Sequence, residues 1–311
     1  MFRLAATRRG ARECLRAPLR VAANPIVAIM PDAERILTTL RRAIQSFRDT
    51  PGRRGRIVSL EGATEVLVSG DLHGNVENFR CLLAKADLVR NPQRHFVLQE
   101  VIHGPYHYPA GGDKSHQLLD LLAALKCQFP RQVHFLLGNH ELAQYTQRRV
   151  AKGDIDLNQC FREGVGTAYG GFAPEVYSVY QELLALVPVA LRTSNRVLLS
   201  HSLPPASKME AFDPAALERD QSTEADLVPG GSVHSVVWGR DTRPETVAAY
   251  LAKMDADLLI SGHVPCDAGF DTPNDRQLIL DSLGCPACYC LFPTDRPLAL
   301  AELVQHNLFT L

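Results

Sequence analysis

A chain of 311 residues, 46% apolar and 22% charged, has globular composition and enough length to bury a sizeable core, as one large α/β domain or two modest ones. A formal net charge of -1 supplies no global basic field, which argues against a dedicated nucleic-acid binder. The longest apolar runs, such as LLALVPVAL from Leu183, fall far short of the ~20 residues of a membrane span, so no membrane partner is expected.

The first 23 residues carry Arg3, Arg8, Arg9, Arg12, Arg16 and Arg20 against a single acid, Glu13. That composition is similar to an organelle transit peptide, but there is no apolar stretch of about 7–15 residues to make a secretory signal, and a basic solvated arm is the expectation. From Asp32, DAERILTTLRRAIQSFR sets Ile36, Leu37, Leu40, Ile44 and Phe47 on one face, predicting an amphipathic helix docked outside the main core. The breaker-rich stretch DTPGRRGR from Asp49 ends it, which divides the chain into an arm and helix over 1–55 and a main domain over 56–311.

Beyond Arg56, short β-rich runs alternate with glycine-containing turns and helical patterns. The runs are Val66 to Ser69, His95 to Leu98, Val133 to Leu137, Val197 to Ser200, Leu258 to Ser261 and Gln277 to Leu280. Helical spacing follows Asn75 and again Ser115, each read as an N-cap. In strand-loop-helix folds, binding groups collect on loops at the carboxyl ends of strands.

Such groups stand there in this chain. Gly70-Asp71-Leu72-His73-Gly74 follows EVLVS, placing a carboxylate and an imidazole two residues apart, where both reach one ion. Gly138-Asn139-His140-Glu141 follows VHFLL, and His201 and His263 close two further runs. One histidine after a strand is ordinarily satisfied or solvated, whereas four strand ends each offering a ligand are hard to obtain by chance. Oxygen and imidazole donors suit borderline divalent ions such as Mn, Fe and Zn.

These segments resemble the calcineurin-like metallophosphoesterases, and within them the phosphoprotein phosphatase type, which carries Gly-Asp-x-His-Gly, Gly-Asp-x-x-Asp-Arg-Gly, Gly-Asn-His-Glu and two later histidines. The resemblance runs from about Val66 to Tyr289. It implies an α/β fold, a four-layer α/β/β/α sandwich of two mixed sheets with flanking helices. It also implies two divalent metal ions, Asp71 and His73 holding one and Asn139, His201 and His263 the other, with His140 as an unligated acid. The implied activity is phosphomonoester hydrolysis by water activated between the ions, on a phosphorylated protein of the Ser/Thr type or a small phosphoester. Alternatives are a dinucleoside polyphosphate or other nucleotide phosphoesterase, and a catalytically weak module that binds a phosphorylated ligand.

The second motif departs from the family. Here the chain reads Gln99-Glu100-Val101-Ile102-His103-Gly104 and then inserts PYHYPAGGD. Glu100 stands for the bridging aspartate and His103 for the aspartate that orients the acid. The phosphate-gripping arginine has no counterpart; Arg240 is the first choice to replace it, with Arg148 and Arg149 in reserve. His107, with Tyr106, Tyr108 and Asp113, is expected near substrate on the inserted loop. Glu141 is assigned to its helix N-terminus, and His95, His116, His134, His234 and His306 to structure. Eight cysteines without the density of a disulfide scaffold suit a reducing cytoplasm, and Cys285, Cys288 and Cys290 are read as inert thiols rather than a zinc site. The sequence leaves the oligomeric state open.

Overall fold

The computed structural model describes residues 32–311, so the basic arm lies outside the described residues. Strands run at Arg53–Arg54 (β1), Ile57–Leu60 (β2), Glu65–Asp71 (β3), Arg94–Gln99 (β4), Val133–Leu136 (β5), Ala151–Lys152 (β6) and Ile155–Asp156 (β7). They continue at Ala190–Thr193 (β8), Val197–Ser200 (β9), Leu258–Ser261 (β10), Phe270–Asn274 (β11), Gln277–Leu280 (β12), Cys288–Pro293 (β13) and Leu308–Thr310 (β14). The helices are Ala33–Arg48 (α1), Val76–Ala86 (α2), His116–Gln128 (α3), Asn139–Tyr145 (α4), Leu157–Tyr169 (α5) and Ala173–Leu186 (α6). Two short ones, Ala206–Met209 (α7) and Glu224–Leu227 (α8), precede Ser232–Trp238 (α9), Pro244–Lys253 (α10) and Leu300–Glu302 (α11).

Seven strands make one sheet, in the order β1-β2-β8-β9-β10-β12-β11, and five make the other, β14-β13-β3-β4-β5. The alternation along each strand explains how the sheets stack. Val66 and Val68 of β3 join Val97, Leu136, Leu199, Ile260 and Leu278 in an apolar layer drawn from both sheets. Leu67, with Phe96, Leu98 and Phe135, points the other way and packs with helix residues such as Leu82, Leu118 and Leu122. Two mixed sheets face each other with helices outside, the expected architecture. β3, β4 and β5 are parallel, as are β9, β10 and β12, so each set delivers its carboxyl ends to one edge. At that edge Asp71 forms a parallel bridge to Asp281. Gly70 permits this approach, since a β-carbon there would collide with the Leu280 carbonyl.

α1 differs from expectation. It packs against α3 and α6, and Leu37, Leu40, Ala43, Ile44 and Phe47 are buried in the same apolar cluster as the main helices. Lys126 of α3 seals its end, donating to Thr50 Oγ1 at 2.9 Å and to the Pro130 and Val133 carbonyls at 2.7 and 2.9 Å. The amphipathic stripe was legible in the sequence, but not the surface it covers. α1 sits in the main body, and Pro31–Leu311 forms one compact unit.

Candidate metal centre

The loops leaving the strand ends bring the candidate ligands together at strained backbone positions. His73, Glu100, His103 and His263 all have positive φ, at 42°, 46°, 60° and 69°. Non-glycine residues hold such angles only when their surroundings enforce them. Here the Leu72 and His73 amides donate to the Glu100 carbonyl at 2.9 and 2.8 Å, and the Gly74 amide donates to that of Val101 at 2.8 Å. From the other side, fully buried Glu141 Oε1 accepts from the Val101 and Ile102 amides at 2.8 and 3.1 Å. Glu141 therefore braces the rewritten loop as well as opening α4. Ser115 stands at the N-cap of α3, as expected, but its side chain makes no capping bond. Its hydroxyl instead accepts from the His103 amide at 3.0 Å and donates to Asp113 Oδ2 at 2.6 Å.

Hydrogen bonds fix which imidazole nitrogens remain available. His73 Nδ1 lies 2.9 Å from the Ile102 carbonyl, so it carries the proton and Nε2 keeps a lone pair. Gln99 Nε2 donates to the Ser69 carbonyl at 2.8 Å, which turns Oε1 toward His201 Nδ1 at 3.0 Å. His201 Nε2 then presents a lone pair to Asn139 Oδ1 at 3.1 Å and to Glu100 Oε2 at 2.9 Å. With Glu100 ionised these three are acceptors facing one another, and Glu100 Oε2 is buried with no hydrogen-bond donor. Lone pairs converging in a buried space are stable only around a cation or a captured proton. The donor set thus fits the divalent ions implied by the sequence.

Glu100 is the hub of the cluster. One ligand atom each from His73, Glu100 and His140 lies within 4.8 Å of the others. A β-carbon at Gly138 would strike Glu100 Oε2, so glycine there leaves room for the carboxylate. Asp71 accepts from the His263 amide at 3.1 Å with both oxygens. Burial, followed in its effect by the neighbouring Asp71 carboxylate among the charge-disfavouring causes, pushes the Glu100 carboxyl up to about 8. Burial likewise raises Asp71 and lowers His201 and His263.

A second chain of bonds leads away from His140. His140 Nδ1 lies 2.9 Å from His103 Nδ1, His103 Nε2 lies 2.7 Å from Gln144 Oε1, and Gln144 Nε2 reaches the Tyr177 hydroxyl at 2.7 Å. Read from Gln144, the network puts the His103 proton on Nε2, makes its Nδ1 the acceptor for His140, and leaves His140 Nε2 toward the carboxylate at 3.9 Å. Burial holds His103 down to about 4 and His140 well below the usual imidazole range. The orienting group is a neutral imidazole, where the resembling family has a carboxylate.

Asp71, His73, His103, His107, Asn139, His140 and Arg240 line a cavity of about 620 Å³. Arg240 Nε donates to His263 Nε2 at 3.0 Å. Arg148 lines a separate recess with Tyr145 and Glu224. The Arg148 carbonyl accepts from Asn158 Nδ2 at 2.9 Å, which turns the chain away after α4. Arg149 is engaged with Asp156 at 3.5 Å. Of the inserted loop only Pro105 and His107 reach the cavity, beside Gly104; Tyr108 is tied to His116 Nε2 at 2.9 Å. Sequence reasoning missed Gln99, Gln144, Lys152, Ile155, Trp238 and Asp281. Gln99 and Asp281 carried a signal, since each follows directly on a β-rich run. Among the described residues no cysteine joins a potential metal cluster, and Cys288 and Cys290 are buried in β13.

Two stacked mixed sheets, with acidic, amide and imidazole ligands at the ends of their parallel strands, define a metal-dependent phosphoesterase scaffold. The family model described as calcineurin-like phosphoesterase matches residues 64–267, about two-thirds of the chain, and the chain belongs to that family. It is 25% identical over 239 residues to a probable serine/threonine-protein phosphatase of Encephalitozoon cuniculi, covering 72% of this chain and 47% of that one. The chain thus spans about half the length of the curated relatives it matches. Its fold is similar to a Saccharomyces cerevisiae protein serine/threonine phosphatase with similarity to human phosphatase PP5. That match has a TM-score of 0.67 and 14% identity over 90% of this chain and 89% of the other. It is also similar in fold to a cold-active protein-tyrosine phosphatase of a Shewanella species, with a TM-score of 0.54 and 14% identity over 82% of each.

Proposed function

We propose that this chain hydrolyses phosphomonoesters, with phosphoserine or phosphothreonine of a protein as its substrate. The observation that carries the reading is the buried Glu100 oxygen facing the lone pairs of His201 Nε2 and Asn139 Oδ1. Asp71, His73 and Glu100 would hold one divalent ion, and Glu100, Asn139 and His201 a second, joined by His263 where its Nε2 exchanges the Arg240 hydrogen bond for the metal, with Mn, Fe or Zn as the metals. When bound, the ions supply Lewis acidity to water and to phosphate oxygens. The chain supplies the rest. Arg240, exposed at the cavity wall, grips two phosphate oxygens through its terminal nitrogens, and His140, once protonated, passes a proton to the leaving alkoxide while His103 keeps its ring in place.

The serine/threonine phosphatase relative supports the choice of substrate. The free state of the seven described cysteines supports a reducing, cytoplasmic setting. A weakly catalytic module that binds a phosphorylated ligand is favoured by one observation, the imidazole at position 103. Stripping the metals and resupplying Mn separates the two readings. The hydrolase releases phosphate from an aryl phosphate and a phosphopeptide panel and loses that activity in Asp71→Asn; the binding module retains phosphopeptide without turnover. Full activity in Asp71→Asn would falsify the proposed site.

A further inference from the structure

Between α4 and α5 the chain makes a two-stranded hairpin, β6 and β7, in which Ala151 pairs with Asp156 and Lys152 with Ile155. Gly153, at φ 60° with open space around it, turns the two-residue loop. Its base is closed by the Leu157 amide donating to the Val150 carbonyl at 2.9 Å. Asp156 caps α5 through the Gln159 amide at 3.2 Å, so the hairpin is fixed to the scaffold. Directly opposed residues of a hairpin point to the same face. Lys152 and Ile155 are such a pair, and both line the catalytic cavity with Val150, Leu157 and Trp238.

Neither side chain is explained by folding. Ile155 is 55% exposed at the mouth of a charged site, where an apolar side chain gains nothing from the protein itself. Lys152 is exposed and makes no ion pair among the described residues; of the two hairpin acids, Asp156 is engaged with Arg149 at 3.5 Å and Asp154 stands in the loop without pairing to it. The metal ligands lie at the buried floor, Glu100 and His201 fully so, while this pair stands at the rim. A phosphoserine seated on the floor brings its neighbouring residues, rather than its phosphate, to the rim.

We propose that the hairpin over residues 151–156 reads the polypeptide beside the phosphorylated residue, taking a bulky apolar side chain on Ile155 and an acidic side chain on Lys152. This inference rests on the phosphoesterase reading. The contacts lie beyond the reacting atoms and are the same in ground and transition states, so they act on KM rather than kcat.

The test uses the full chain loaded with Mn, free phosphoserine, and phosphoserine peptides that differ at one neighbouring position, leucine against serine or aspartate against lysine. The expected result is a preference for leucine over serine of about tenfold in kcat/KM, carried by KM and abolished in Ile155→Ser. Free phosphoserine, which has no flanking residues, is turned over equally by wild type and variant. Lys152→Glu should invert the preference for aspartate over lysine, an inversion that loss of structure cannot produce. Wild-type indifference to the neighbouring residue, or an equal loss on every peptide in Lys152→Glu, overturns this inference alone. Failure of the wild-type chain to hydrolyse any of these esters overturns the phosphoesterase reading and this inference with it.

Discussion

His103 Nδ1 lies 2.9 Å from His140 Nδ1, and because His103 Nε2 is spent on Gln144 at 2.7 Å, the contact is a neutral imidazole accepting from His140. A neutral acceptor orients its partner without favouring the charged form, whereas a carboxylate does both. His103→Asp should therefore raise the pKa of His140. The protonated acid would then persist to higher pH, and the alkaline limb of the kcat profile should move up by about one to two units. The profile should be measured on an alkyl phosphate, whose leaving group needs the proton. An unmoved limb would remove His140 from the role of acid.

Glu100 makes a prediction about metal rather than rate. Glu100→Gln keeps an oxygen at the hub but removes its charge, so metal content by elemental analysis should fall to about one ion per chain or fewer. The wild type carries a linked signature. In the chelated protein, burial pushes the Glu100 carboxyl up to about 8 from an ordinary 4.5. A carboxyl raised in the fold stabilises it below its ordinary value, and that stability is lost as pH rises toward 8. Mn requires the ionised form and replaces the proton, so the rise in Tm on adding Mn should be larger at pH 8.5 than at pH 6. An equal rise at both would show that Glu100 does not meet the ion.

The two kinds of site residue differ in how far the sequence could reach them. Asp71, His73, Asn139, His140, His201 and His263 each sit within four residues of a strand end, so a β-rich run followed by a ligand-bearing turn is enough to place them. Gln99 and Gln144 act through side chains that cross between elements; Gln99 also stands at a strand end, but an amide there does not announce the histidine it orients, and nothing in the local spacing marks Gln144. Arg148 lines a different recess, and its distance along the chain from Asn139 says nothing of the turn at which its carbonyl meets Asn158. The helical stripe of α1 was legible in the same way as the strand ends, but the faces of α3 and α6 that receive it were not.

Arg240 and Arg148 provide a paired test of the phosphate grip. Arg240→Ala should lower kcat/KM for a phosphopeptide by about 10²-fold, and Arg240→Lys should recover only part of that, since an ammonium cannot bind two oxygens in one plane. Arg148→Ala should leave kcat/KM within about twofold, because its recess is separate from the cavity. Comparable losses in the two alanine variants would move the grip away from Arg240.

The burial of α1 predicts a stability effect uncoupled from catalysis. Leu40 is fully buried on the face that meets α3 and α6. Leu40→Ala removes that packing and leaves a cavity, so it should cost about 2–5 kcal/mol of unfolding free energy in a urea titration. The metal centre is built on strand ends that α1 does not supply, so kcat/KM per folded molecule should stay at the wild-type value. Removal of the whole helix would bare the apolar faces of α3 and α6, and the truncated chain should aggregate or unfold at temperatures the intact chain survives. A chain lacking α1 that unfolds at the wild-type midpoint would return the helix to the outside of the core.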